Sequence, residues 1–190
     1  SPHSGRDYPQ AFLDQALLDP AEIRSSEDAF VDQLFDCAPG LGAPLLVARA
    51  PRAYLDLNRA ADELDPAVID GLARAPHNPR VSSGLGVIPR VVAGGRAIYR
   101  GKLSLAQAQD RIHRFWHPYH QALSALIDET RATFGQAVLI DCHSMPSATA
   151  SRDDRMSGSV TISSSGVPAR FRSMPDMPLK SSCSDLPASS

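Results

Sequence analysis

The clearest run of the chain is apolar without alternation: Ala137, Val138, Leu139 and Ile140, followed at once by Asp141-Cys142-His143-Ser144. Four unbroken apolar residues between Gly135 and Pro146 predict a central strand covered on both faces. The longest periodic segment is 104–133, with Leu105, Ile112, Phe115, Trp116, Leu123, Leu126 and Ile127 on one side. It predicts one long helix bent near Pro118, or two helices in sequence. Residues 25–35 set Phe30, Val31, Leu34 and Phe35 at helical spacing behind Ser26 and Glu27, an amphipathic helix ended by Pro39-Gly40-Leu41-Gly42. Short strands are expected at 44–48 and 53–59, the second leading into a polar excursion over 60–84. Residues 87–92 and 97–99 read as extended segments turned back at Gly94-Gly95. Strands and helices alternate, so the class expected is α/β with a largely parallel sheet.

The pattern stops near residue 150. Residues 151–190 hold twelve serines, three of the four methionines and several prolines, and carry no apolar period. The expected organisation is one domain over 1–150 and a Ser/Pro/Met-rich tail over 151–190, disordered or out of frame, so that the C-terminal part of the domain is missing or atypical. The opening Ser1-Pro2-His3-Ser4-Gly5 reads as the middle of a motif.

Composition narrows the classes. The chain has 190 residues, 43% hydrophobic content and a formal net charge of −2. That leaves no basic surplus for nucleic acid, and no continuous apolar span for a membrane is present. Lysine occurs only at Lys102 and Lys180, so anion recognition is expected from arginine. Cys37, Cys142 and Cys183 have neither an even count nor Cys-x-x-Cys spacing, which argues against a disulfide framework and for a cytoplasmic location.

Chemistry concentrates in a few short motifs. A histidine closing a strand is either a satisfied structural residue or a metal ligand. Asp141, two residues before His143 and on the same side of the strand, can orient it. Cys142 points to the other face and is expected to pack rather than react. His113, His117 and His120 sit at spacings of four and three, but Pro118 interrupts them and no nearby carboxylate completes a set. With Trp116 and Tyr119 they predict a packing surface. His77 is expected in an exposed loop.

Taken together, Pro2-His3-Ser4-Gly5, Glu27-Asp28, Asp56-Leu57-Asn58-Arg59, Gly86-Val87-Ile88-Pro89-Arg90 and Asp141-Cys142-His143-Ser144-Met145 are more specific than any one of them. With Ile98-Tyr99-Arg100-Gly101-Lys102-Leu103 and Pro118-Tyr119-His120, the set resembles the N-formylglutamate amidohydrolase family over residues 1–150. That family is distantly similar to the zinc carboxypeptidases. The resemblance implies a phosphorylase/hydrolase-like three-layer α/β/α sandwich with a mostly parallel mixed sheet.

It also implies a site. His3 and His143 would be two ligands of Zn²⁺, which favours imidazole nitrogen. Where carboxypeptidases place a ligand glutamate, three residues after the first histidine, this chain has Arg6. Asp28, in the Glu27-Asp28-x-x-Val31-Asp32 segment shared with the family, is the first choice as third ligand, and Asp7, nearer in sequence, is the reserve. Asn58, Arg59 and Arg90 would hold a small acidic substrate, since a guanidinium matches a carboxylate in its plane. Arg52, Arg74 and Arg80 are expected to pair with nearby acids.

The implied reaction is hydrolysis of the formamide of N-formyl-L-glutamate, a step of histidine degradation. The alternatives are a zinc amidohydrolase of another N-acyl amino acid or peptide, and a non-catalytic fragment that binds a small acidic ligand. The general base expected from the resemblance is a glutamate well downstream of His143. No glutamate follows Glu129, so the catalytic base is unassigned and poor activity is expected.

Overall fold

The computed structural model describes residues 1–72 and 78–144 and the backbone of 161–163. The expectations for Arg74, for His77 and for most of the 151–190 tail lie outside these residues. The core gathers Phe12, Ile23, Leu55, Ile69, Ile88 and Ile98, all essentially without solvent contact. Much of the chain around it consists of short elements and turns.

Two short helices open the chain, α1 (Gln10–Gln15) and α2 (Pro20–Ile23). The second begins with Asp19 and Glu22 capping each other's backbone N–H and Pro20 in the first turn, where its missing N–H costs nothing. The single helix expected over 25–35 is broken. A 3₁₀ turn (Arg24–Ser26) gives way to extended backbone at Glu27, and α3 covers only Val31–Leu34. Tertiary contacts outweigh the local period here. Asp28 N–H donates to His3 O at 3.1 Å, and the Tyr8 hydroxyl donates to Glu27. Phe30 then takes the left-handed conformation (φ 63°) and is 58% exposed.

The strand expected at 44–48 is an extended segment lying beside the N-terminus. Ser1 N donates to Leu46 O (2.8 Å), Ala48 N to Ser1 O (3.0 Å) and Asp7 N to Arg49 O (3.0 Å). Residues 53–59 form turns, not a strand, fixed by Asp56 N–H on Val87 O at 2.8 Å. The turn at Gly94-Gly95 is present: both glycines have positive φ, and the flanking chain pairs through Val92 N to Arg96 O and Ile98 N to Arg90 O. A short α4 (Pro79–Ser82), capped by Asn78, precedes it.

The periodic segment forms α5 (Leu105–Arg111), a widened π turn (Ile112–Trp116) and α6 (His117–Phe134). The widened turn lies immediately before Pro118, whose ring clashes with a regular preceding turn, so the helix continues by local unwinding. Arg111 is buried by this arrangement. Its guanidinium lies 4.0 Å over the Tyr54 ring and donates to Tyr99 Oη at 2.7 Å and Tyr54 O at 3.1 Å. The family segment beginning Ile98-Tyr99 therefore builds scaffold here.

The apolar run yields β1 (Leu139–Asp141), paired antiparallel with β2 (Thr161–Ser163) so that Ile140 faces Ile162 in register. Among the described residues this is the one sheet, and it is antiparallel where a parallel one was expected. A strand covered on both faces was also expected, yet Val138 is 62% and Ile140 53% exposed. The physical reason is that they line an apolar groove of about 370 Å³ against Leu123, Leu126 and Ile127 of α6. No described helix is long and apolar enough to cross a membrane.

Candidate functional site

His3 enters the site on the extended N-terminal segment. Gly5 lets that segment press on its neighbour: a Cβ there would stand 2.1 Å from Ala50 O and 2.6 Å from Arg49 O. His3 is thereby buried between two aspartates. Its Nε2 lies 2.8 Å from Asp56 Oδ1, and its Nδ1 lies 3.4 Å from Asp28 Oδ2. With Nε2–H donating to Asp56, Nδ1 keeps a lone pair; that nitrogen is buried and has no hydrogen-bond partner.

His143 arrives from the end of β1. Its Nδ1 is 2.6 Å from Asp28 Oδ2 and its Nε2 is 2.9 Å from Asp141 Oδ2, the orienting contact expected from residues two apart. The two imidazoles are tilted by 48° with centroids 5.0 Å apart. One candidate ligand atom from each of His3, Asp28 and His143 falls within 4.8 Å of the other two, the one such group among the described residues. Two imidazoles and a carboxylate suit a borderline divalent ion and leave a coordination place open. The unpartnered lone pair of His3, aimed at Asp28, is what a metal would use. Asp56 and Asp141 act behind the set, each fixing one ring. Asp7 stands apart, paired with Arg49 on the surface at 3.1 Å, and Arg6 pairs with Asp32.

The charges follow from these contacts. Burial opposes ionisation of Asp28, but the hydrogen bond from His143, with His3 close by, holds its pKa down to about 2. Hydrogen bonds to Asp141 and then Asp28 raise His143 to about 9 against the opposing effect of burial. Its contribution to stability is full below its ordinary value of 6.5 and is lost as pH rises through about 9. Asp28 contributes above its ordinary 3.8, and that stability is lost as pH falls toward about 2. In chelator, the melting temperature of the chain minus that of His143→Ala is expected to be largest between those ordinary values and to shrink above pH 9. A difference unchanged from pH 6 to pH 10 would contradict this pairing. Cys142 is buried, which pushes its thiol pKa up and removes it as a nucleophile.

The Asp56-Leu57-Asn58-Arg59 loop is held from behind by α6 and the turn before it. Trp116 Nε1 donates to Arg59 O at 2.8 Å, and His120 Nε2 donates to Leu57 O at 3.0 Å. This places Asn58 Nδ2 3.1 Å from Asp141 Oδ2 and 3.3 Å from His143 Nε2. Arg59 Nε lies 3.8 Å from Asp56 Oδ2. Arg90 is turned elsewhere: Nε donates to Asp65 at 3.0 Å and Nη2 to Ser82 O at 3.3 Å. A cavity of about 410 Å³ opens beside Asp28 and Ser144, and the arginine lining it is Arg52. Arg52 does pair with an acid, as expected, but that acid is the buried Asp56 at 3.1 Å. The role of Asp56 was missed by sequence reasoning, although its place two residues before Asn58 in one motif was a usable signal.

The profile of the N-formylglutamate amidohydrolase family matches residues 1–169. The chain is 30% identical over 150 residues to an N-formylglutamate deformylase of Pseudomonas aeruginosa, covering 77% of this chain and 50% of that protein. A deformylase of the same name from Pseudomonas putida is 29% identical over 148 residues. The crystal structure of N-formylglutamate amidohydrolase from Ralstonia eutropha JMP134 superposes with a TM-score of 0.70 at 38% identity, over 77% of this chain and 52% of that one. The chain spans about half the length of the curated relatives it matches. On the family match and the structural likeness together, the chain belongs to the N-formylglutamate amidohydrolase family.

Proposed function

We propose that this chain carries the zinc and substrate site of an amidohydrolase acting on the formamide of N-formyl-L-glutamate, within a three-layer α/β/α architecture. The observation that carries the reading is the meeting of His3, Asp28 and His143, brought from three separated segments into one ligand-sized cluster. Zinc bound there would supply Lewis acidity toward water and the formyl carbonyl. The residues of the chain do the rest. Asp56 holds His3 in the tautomer that frees Nδ1, and Asp141 fixes the His143 ring. The Asn58 amide and the Arg59 guanidinium stand on the loop that borders the cluster and are suited to a carboxylate. Arg90 is less suited, being bound to Asp65 and Ser82.

Among the described residues, the proton acceptor is the weak point of this site. Asp141 is held below the usual carboxylate range by His143 and Asn58 against the effect of burial, and so is a poor base near neutrality. With Asp141 so held, the described site is expected to bind its substrate better than it turns it over. Metal analysis with a formate-release assay tests the reading. The expected result is one zinc per chain, lost in His143→Ala, with binding of N-formyl-L-glutamate in preference to N-formyl-L-leucine and slow, chelator-sensitive formate release. Zinc occupancy that survives both His3→Ala and His143→Ala would refute it.

A further inference from the structure

We infer that Arg52 is the guanidinium that grips a carboxylate of the substrate and sets the preference for an acidic acyl amino acid. This rests on the proposed amidohydrolase reading and assigns the anion contact within it. The cavity beside the metal cluster has Asp28 and Ser144 on the cluster side and Ser25, Ser26 and Glu27 along another wall, with Arg52 facing it. Most of those polar groups are already committed. Ser25 Oγ donates to Glu22 O at 2.6 Å, Ser26 Oγ to Ile23 O at 3.1 Å, and Glu27 is taken up by Tyr8 and Arg24. Asp28 is engaged by the two histidines.

Arg52 alone among the described lining residues offers positive charge to that space. Its Nε is fixed on Asp56 Oδ2 at 3.1 Å, its two Nη nitrogens donate to no described residue, and its side chain is 28% exposed. A fork anchored at Nε and open at both Nη positions is preorganised for a carboxylate. Asp56 holds both Arg52 and His3, so the anion contact and the metal-ligand support share one buried carboxylate. That link keeps the two ends of a bound N-formyl amino acid in register.

Calorimetric titration of the zinc-treated full chain tests this with three ligands: N-formyl-L-glutamate, its α-amide, and its side-chain amide N-formyl-L-glutamine. Arg52→Ala is expected to weaken N-formyl-L-glutamate by about 10- to 100-fold, the range of a charged hydrogen-bond pair. It should leave unchanged the binding of whichever amide lacks the gripped carboxylate. Arg52→Lys should recover only part of the affinity, because a point charge lacks the fork. Equal losses for all three ligands would mean that Arg52 acts only through Asp56, and no loss for any would mean that it does not touch the ligand; either result overturns the assignment while the amidohydrolase reading stands. Failure of the unsubstituted chain to bind any of the three overturns that reading, and the assignment with it.

Discussion

Replacing Gly5 by alanine is expected to destabilise the chain by about 3 kcal/mol and to damage the His3–Asp28–His143 cluster with it. The added Cβ would meet Ala50 O at 2.1 Å, Ala50 C at 2.6 Å and Arg49 O at 2.6 Å. All three are backbone atoms, so no side-chain rotation relieves the clash. Relief requires the N-terminal segment to move away from residues 46–50, breaking the Asp7 N to Arg49 O bond and carrying His3, two residues upstream, off Asp56 and Asp28. The expected readings are a melting temperature lower by roughly 6–12 °C, at 2–4 °C per kcal/mol for a chain of this size, and zinc affinity at least about tenfold weaker. Gly101→Ala is the control, since an added Cβ there meets nothing within 4 Å. If Gly5→Ala melts with the control, the close approach of the two segments is not what holds His3.

Asp56→Asn is expected to lower zinc affinity by about 10- to 100-fold and to cost about 1–2 kcal/mol of stability, because the amide leaves the Arg52 guanidinium without its charged partner. Asp56 is buried, with Oδ1 accepting from His3 Nε2 at 2.8 Å and from Asn58 N at 2.9 Å, and Oδ2 accepting from Arg52 Nε at 3.1 Å. An amide of the same shape keeps one acceptor oxygen but loses the charge that favours the tautomer with Nδ1 free. Asp56→Ala goes further and is expected to cost about 3 kcal/mol, because Arg52, His3 and the Asn58 N–H all lose their partner. Competition with a zinc-chelating dye reads the first effect, and urea denaturation in chelator reads the second. Wild-type zinc affinity in Asp56→Asn would show that His3 is oriented by something other than this carboxylate.

Several features of the site were legible because they are local. Residues two apart on a strand share a face, so the support of His143 by Asp141 followed from position alone. The glycine pair at 94–95 announced its turn, since only glycine takes positive φ freely. The α5 and α6 periods were visible for the same reason, repeated apolar spacing over many residues. Other features depended on the path of the chain. The expected helix over 25–35 gave way because His3 O and Tyr8 bind Asp28 and Glu27 from outside, and no local pattern encodes partners 19 and 25 residues away. Nothing local marks Arg111 for burial; Phe12, Tyr54 and Tyr99 close around it only in the folded chain.

The motif residues themselves, Pro2-His3-Ser4-Gly5, Asp56-Leu57-Asn58-Arg59 and Asp141-Cys142-His143-Ser144, were determined by the sequence, together with the kind of chemistry that imidazoles, carboxylates and guanidinium groups can perform. Tertiary structure alone decided which of them meet. It chose Asp28 over Asp7 to stand beside the two histidines, turned Arg90 to Asp65, and set Arg52 on the cavity. The reason is physical: side-chain chemistry is a property of each residue, whereas a separation of a few ångströms between residues 115 positions apart, as between Asp28 and His143, is a property of the folded chain.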